Sequence, residues 1–320
     1  MSFSHIPTVD LHAYTQGDAA QRAAFVQALG DSFSQIGFAI VANHGVPQEV
    51  IDGAYDAFQR FFALPDEVKA KYELEGMAGQ RGYTSRGKEH AKGRNVGDLK
   101  EFYHIGQILH GEEAAAYGYP ENIFPEEVPE MQTYGVQLYQ ALERSGLHLL
   151  QAIADYLALP THYFDDKVRN GNSILRPIHY YGIDHPDEVP EGAVRAAEHE
   201  DINLITLLIG ASAEGLQVLN TAEEWIDASP EPHQIVINVG DMLQRLTNNR
   251  LRSTTHRVAN PPRERMQEPR YSVPFFLHPV SEMDLSPLPS CVDAAHPKQY
   301  EDITAGEYLD ERLREIGLKA

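Results

Sequence analysis

Two histidines and a carboxylate set the chemistry that this sequence could perform. In the run EHEDINLITLL, His199 and Asp201 stand two residues apart at the entrance to an apolar stretch. Residues i and i+2 of an extended strand point to one face, so the imidazole and the carboxylate would project into the same space. His256, in RSTTHRVAN, falls in another predicted strand, from which a third ligand could arrive. Two histidines and one carboxylate on one side of a metal leave positions open on the other, which suits non-haem Fe(II) and oxygen chemistry. Catalytic zinc is a competing use of the same donors. The chain holds 15 histidines, so spacing alone leaves open that His199 is an ordinary surface or core residue. Arg270 and Ser272, in RYSVPFF, repeat the i, i+2 spacing. A guanidinium offers a rigid donor fork to a carboxylate, and a neighbouring hydroxyl adds a donor, so the pair would hold the distal end of a dicarboxylate. An interstrand ion pair is the plainer use of Arg270.

These groups need strands to carry them, and the second half of the chain supplies the pattern. After Asn172 come short apolar or alternating runs: SILRPIHYY, NLITLLIG, GLQVL, HQIVINVG, RSTTHRVA and RYSVPFFLH. Such runs between Gly, Pro, Asn and Asp turns predict a β-sandwich or barrel, not an alternating βαβ protein. The first half reads as mostly helical. Asp18 caps a predicted helix over 18–36, with Phe25, Val26, Leu29, Phe33 and Ile36 at three- and four-residue spacings. Gly37 breaks it, GFAIVANHG follows as a buried strand, and Pro47 opens a helix with Val50, Ala54, Phe58 and Phe61 inward. Residues 76–97 form a glycine-rich basic loop carrying Arg81, Arg86, Lys88, Lys92 and Arg94, before a strand at LKEFYHIG. The longest helical pattern runs over 126–159, with Leu138, Leu142, Leu149, Ile153 and Leu157 as its stripe, and Pro160 ends it. ANPPRERMQEP reads as a surface hairpin extension, Asp241 as the cap of a short helix over MLQRLTN, and Asn238 and Asn248 as turn residues. In the tail, AGEYLDERLREIG is helical again, with Asp310 and Arg314 at i, i+4.

Composition narrows the partners. The 320 residues include 26 basic and 47 acidic ones, a formal net charge of −21. A surface that acidic repels phosphate backbones and anionic membranes, so neither nucleic acid nor membrane is an expected partner. Hydrophobic residues at 42% and charged residues at 23% are those of a globular chain long enough to build a core without staples. Cys291 is the only cysteine. It excludes an intrachain disulfide and a Cys-based metal site, and it fits a reducing cytoplasm. The opening MSFSHIPTVDL has no export signature, and no apolar run approaches ~18 residues, so a cytoplasmic location is expected.

The order His199-x-Asp201, His256, Arg270-x-Ser272 resembles the isopenicillin N synthase-like branch of the Fe(II)/2-oxoglutarate-dependent oxygenases. IPTVDL, GFAIVANHGVP, FFALPDEVKAKY, GLQVL, VINVGDMLQRLTN and STTHRV resemble recurring landmarks of that family. The resemblance implies a mixed α/β (α+β) fold: a double-stranded β-helix, or jelly-roll barrel, flanked by helices. It implies a mostly helical, substrate-side region over 1–120, and over 121–320 the long helix, the catalytic jelly roll and a C-terminal helix. It implies that His199, Asp201 and His256 bind Fe(II), and that Arg270, Ser272 and Tyr181 hold 2-oxoglutarate. O2 would then oxidise a small substrate by hydroxylation, desaturation or cyclisation, with release of succinate and CO2. Where many relatives have Asn-x-Tyr-Pro, this chain has His179-Tyr180-Tyr181-Gly182, with His179 for Asn and Gly182 for Pro. Arg81, Tyr83 and Phe276 resemble substrate-side positions, and Arg81 would bind an anionic group; a solvated basic loop is the alternative. An isopenicillin N synthase-like or aminocyclopropane carboxylate oxidase-like enzyme would use the Arg-x-Ser pair without 2-oxoglutarate. A binding protein on the same barrel would lack the ligands.

Overall fold

A computed structural model of the chain describes residues 5–74, 80–88, 100–109, 111–183, 195–210 and 215–315. The strands are β1 Thr8–Asp10, β2 Phe38–Ala42, β3 Gly82–Thr84, β4 Lys100–Gly106, β5 Ile174–Leu175, β6 Ile178–Tyr180, β7 Ala196–His199, β8 Ile205–Ile209, β9 Leu216–Leu219, β10 Trp225–Asp227, β11 Ile235–Val239, β12 His256–Val258 and β13 Arg270–Leu277. The helices are α1 Leu11–Thr15, α2 Ala19–Gln35, α3 Gln48–Phe62, α4 Asp66–Lys69, α5 Gly111–Tyr117, α6 Glu130–Tyr156, α7 Asp165–Val168, α8 Asp241–Leu246 and α9 Ala305–Glu315. Much of the predicted loop over 76–97, with Lys92 and Arg94, lies outside the described residues; Gly82–Thr84 within it is strand β3.

Each helix starts where its local chemistry dictates. Asp18 accepts from Gln21 N and the Gln21 side chain returns the bond to Asp18 N, both at 2.9 Å, a capping box that satisfies donors the first turn of α2 cannot use internally. Pro47 precedes α3 and Pro129 precedes α6, whose first residue is Glu130 and not Glu126. Leu138, Leu142, Leu149, Ile153 and Leu157 are all buried. At roughly 1.5–3 kcal/mol per buried aliphatic side chain, this stripe anchors α6 in the apolar core.

Among the described residues the strands form two sheets. The nine-stranded sheet runs β1-β2-β11-β8-β13-β5-β4-β3, with β6 joined to β13 and β4; the four-stranded sheet runs β10-β9-β12-β7. One apolar core draws on α2, α3 and α6 and on the inward residues of β8, β11 and β13. Pro274 interrupts β13 where its neighbour changes from β6, opposite Arg270–Ser272, to β5, opposite Phe275–Phe276. Its carbonyl accepts from Arg176 N at 2.9 Å, and its absent N–H falls at that break in the ladder.

Three local expectations are corrected. The segment ANPPRERMQEP connects β12 to β13, which lie in different sheets, so it is a crossover and not a hairpin. Gly240 is the N-cap of α8 and Asp241 its first residue, with no side-chain cap bond. Asn238 lies inside β11, whereas Asn248 does turn the chain, at φ 49°. No helix among the described residues is long and apolar enough to cross a membrane.

Candidate active site

β7 and β12 pair antiparallel with His199 directly opposite His256, so the two imidazoles leave adjacent strands on one face, ring centroids 4.3 Å apart. His199 ends β7, and Asp201 follows in the turn toward β8, not on the strand as its spacing suggested. That turn is held by backbone donors at the start of α8: Asp241 N bonds Asp201 O at 2.7 Å, and Gly240 N bonds Leu204 O at 2.9 Å. Nitrogen and oxygen atoms of His199, Asp201 and His256 converge within 4.8 Å of one another.

The remaining bonds of these three residues decide which atoms face the centre. His199 Nδ1 donates to Ala197 O at 2.7 Å and His256 Nδ1 to Thr254 O at 3.0 Å. A carbonyl only accepts, so each ring carries a proton on Nδ1 and turns its Nε2 inward. Asp201 Oδ2 accepts from Thr206 Oγ1 at 2.6 Å and from Asn238 Nδ2 at 2.8 Å. Its Oδ1 lies 4.0 Å from His199 Nε2 and 3.8 Å from His256 Nε2. Burial alone would raise the Asp201 carboxyl, but His256, His199, Asn238 and Thr206 together hold it below the usual range. Loss of water on the inner side, and then the neighbouring His256, push His199 down to about 4. A neutral His199 imidazole, an ionised Asp201 carboxylate and the His256 Nε2 therefore aim at a common point, a donor set that suits a divalent cation.

Beyond this cluster, β13 lines the pocket with alternate residues Arg270, Ser272, Pro274 and Phe276. Arg270 and Ser272 are buried at 1% and 3% exposure. The expected tyrosine is displaced by one position. The β6–β13 register sets Tyr180 opposite Arg270 and His179 opposite Tyr271. Tyr180 thus shares the Arg270 face, with the Arg270 guanidinium carbon 5.0 Å from its ring centroid. Tyr181 does not line the pocket; it lies beside His179, 4.8 Å away, with Arg86 over its ring. The same register moves Ile178, not His179, to the pocket wall. His179 instead bonds Glu101 Oε1 at 2.7 Å on the opposite face of the strand.

Arg81 and Tyr83 are not brought to the pocket. Arg81 is buried at 1% exposure against Gly106, where a Cβ would lie 1.8 Å from the guanidinium carbon, so Gly106 is needed to make room for it. Tyr83 donates to Glu101 Oε2 at 2.5 Å, and Lys69 reaches the same carboxylate at 2.7 Å. Burial would raise Glu101, but His179, Lys69 and Tyr83 hold it below its ordinary value. Phe276 does line the pocket, as do Lys100 and Arg176, which the sequence reading did not single out. The signal for Arg176 was the alternation Arg176, Ile178, Tyr180 in RPIHY, which assigns all three to one face of an extended segment.

Comparison with known proteins gives two family matches: residues 6–127 to the non-haem dioxygenase in morphine synthesis N-terminal family, and residues 172–279 to the 2OG-Fe(II) oxygenase superfamily. The proline hydroxylase buaE of Petromyces alliaceus is 34% identical over 306 residues, 92% of this chain and 93% of that protein. A putative 2OG-Fe(II) oxygenase family protein from Caulobacter crescentus superimposes with a TM-score of 0.87 at 45% identity, covering 98% of this chain and all of that one. A full-length Neurospora crassa protein, solved in complex with alpha-KG and thymine, gives a TM-score of 0.85 at 29% identity, covering 97% and 96% of the two chains.

Proposed function

Because this chain belongs to the Fe(II)- and 2-oxoglutarate-dependent oxygenases, we propose that it oxidises a small organic substrate with 2-oxoglutarate anchored by Arg270 and Ser272 beside iron held by His199, Asp201 and His256. The enzyme class is that of a non-haem dioxygenase, an oxidoreductase. The observation that carries the site assignment is the division of labour among donor atoms: both Nδ1 groups are committed to carbonyls and Asp201 Oδ2 to two donors, while Nε2, Nε2 and Oδ1 converge. When bound, the metal and cosubstrate supply the oxidising power, coupling decarboxylation of 2-oxoglutarate to succinate and CO2 with reduction of O2 and oxidation of the substrate.

The chain's own residues bind and orient. Thr206 and Asn238 fix the Asp201 carboxylate, and the Ala197 and Thr254 carbonyls fix the tautomers of the two imidazoles. Arg270 presents a planar fork to the distal carboxylate, Ser272 adds a hydroxyl, and Tyr180 packs under the guanidinium in the role sequence reading gave to Tyr181. Phe276 supplies an apolar surface for substrate at the pocket wall. A relative named as a proline hydroxylase and a solved structure holding thymine support a small organic molecule as substrate. The two family matches, 6–127 and 172–279, support a division of tasks near residue 120, the N-terminal 1–120 serving the substrate side and 121–320 the metal and cosubstrate. Cys291, buried and unpaired with another cysteine, supports a reducing compartment, and we assign the cytoplasm.

An anaerobic titration of metal-free protein with Fe(II) and then 2-oxoglutarate tests this reading. A visible absorption band from the keto acid on ferrous iron is expected in the wild type and absent in Asp201→Ala. Iron binding without that band would refute the cosubstrate assignment and hand Arg270 to a carboxylate of the substrate itself.

A further inference from the structure

β6 is only three residues long, Ile178–Tyr180, yet Ile178 and Tyr180 both form part of the pocket wall. So short a strand makes few ladder bonds, and a slip of one residue would turn both side chains away from the pocket. The register that sets Tyr180 beneath Arg270 therefore needs a second source of order, and the opposite face of the sheet supplies one. Across β4, β6 and β13, Lys100, Tyr180 and Arg270 stand in line on the pocket face, while Glu101, His179 and Tyr271 stand in line on the outer face. The outer row is joined side chain to side chain. His179 Nδ1 donates to Glu101 Oε1 at 2.7 Å, and the His179 ring stacks on Tyr271 with centroids 4.7 Å apart and planes 10° apart. His179 thus ties β6 to β4 through a hydrogen bond and to β13 through a ring contact, the kind of cross-strand pairing that fixes register.

The anchor at the β4 end is rigid. Glu101 is fully buried, and its Oε2 accepts from Lys69 of α4 at 2.7 Å and from Tyr83 of β3 at 2.5 Å. With His179 these donors keep the carboxyl ionised, so both oxygens act as acceptors and neither is left without a partner. Phe62, the last residue of α3, packs against both rings of the row, its centroid 5.6 Å from that of His179 and 6.3 Å from that of Tyr271. Behind the row stand α3, α4 and β3 of the N-terminal part; in front of it stand Tyr180 and Arg270 of the C-terminal part.

We propose that His179, anchored by Glu101, is a positioning residue for 2-oxoglutarate: it holds β6 in register against β13 and so keeps the Tyr180 ring beneath the Arg270 guanidinium, 5.0 Å away. It acts from the outer face, without touching cosubstrate or iron. This inference rests on the oxygenase reading above, and it gives the N-terminal elements a part in cosubstrate binding from behind the sheet.

Two substitutions separate the hydrogen bond from the ring. His179→Asn keeps a donor on Cγ in the place of Nδ1 and loses the stack, whereas His179→Phe keeps the stack and loses the donor. The full chain, loaded anaerobically with Fe(II), is titrated with 2-oxoglutarate, and the dissociation constant is read from the visible band of the keto acid on ferrous iron. His179→Phe should raise that constant by about three- to tenfold, no more than Tyr180→Ala does, because the ring over which Arg270 sits is displaced and not removed. His179→Asn should raise it less, and iron affinity should stay within about twofold in both. In a Tyr180→Ala background His179→Phe should add less than about twofold, since residues that act through one contact do not add. Should His179→Phe fail to fold, Tyr271→Leu, which cuts the row at the β13 end, is put through the same cycle with the same expectation. Wild-type 2-oxoglutarate affinity in His179→Phe, a larger loss in His179→Asn than in His179→Phe, a loss matched by an equal loss of iron, or full additivity with Tyr180→Ala would overturn the proposal. The wild type keeps the two readings apart: no band there refutes the oxygenase site itself, whereas a band that the variants leave unchanged refutes only the positioning role.

Discussion

Asp201 uses its two oxygens differently: Oδ2 is tied to Thr206 and Asn238, and Oδ1 turns toward the two Nε2 atoms. Removing the ligand and removing its support should therefore have separable effects. Asp201→Ala should abolish Fe(II) binding while leaving the unfolding midpoint of the metal-free protein near the wild-type value, because the carboxylate faces a pocket and not the packed core. Asn238→Ala retains all three ligands but frees one side of the carboxylate, and should weaken Fe(II) by about 10–100-fold in a metal titration. An Asn238→Ala protein with wild-type iron affinity would remove this residue from the site. Arg270→Gln acts at the other end of the cosubstrate. It deletes the charged fork without touching a ligand, so the 2-oxoglutarate dissociation constant should rise by about 10–100-fold, as expected for losing a buried charge-assisted pair, while iron affinity stays within about twofold. Equal weakening of both would show that Arg270 supports the fold of the site and not the carboxylate.

Strand register explains which parts of the site were legible in the sequence. His199, Asp201 and His256 could be found from residue type and order, and Arg270 and Ser272 from their i, i+2 spacing, because one strand carries both of the latter residues. Tyr181 falls outside the pocket because a shift of one residue in β6 exchanges pocket and outer faces, and only pairing with β13 fixes which set points inward. The polar face that His179 joins, with Glu101 and Lys69, was invisible for the same reason: it is assembled from α4, β4 and β6 across long sequence separations. Asn238 read as a turn residue because Asn favours turns, but in β11 its side chain serves the ligand brought in by the neighbouring β7–β8 turn. The register itself can be tested. Tyr180→Ala removes the ring beneath Arg270 and should weaken 2-oxoglutarate by about three- to tenfold, in line with a desolvated cation–π contact. Tyr181→Ala should change it by less than about twofold, and the reverse ranking would mean that β6 is shifted by one residue relative to the pairing described.

At the scale of the whole molecule, the proposed division near residue 120 would be one of task and not of folding. β2, from the N-terminal part, lies between β1 and β11, with Val41 opposite Ile235 and Ile40 opposite Val236. β4 is bonded to both β5 and β6, and through β6 it reaches the strand that carries Arg270. Phe58 and Phe61 of α3 belong to the same apolar core as Leu138 and Leu142 of α6. A chain of residues 121–320 would therefore expose the edge of β11, leave β5 and β6 without a neighbour on one side, and uncover the face of α6 that meets α3. Exposed apolar edges of this kind pair with other chains. The expected outcome is that residues 121–320 alone aggregate, or show no cooperative thermal transition and bind no Fe(II), although every proposed metal and cosubstrate contact lies within them. The full chain should unfold in one transition, with helical circular dichroism and aromatic fluorescence changing together. Two separated transitions in the full chain, or a folded and iron-binding 121–320 fragment, would mean that the jelly roll is autonomous and that the N-terminal strands only extend it.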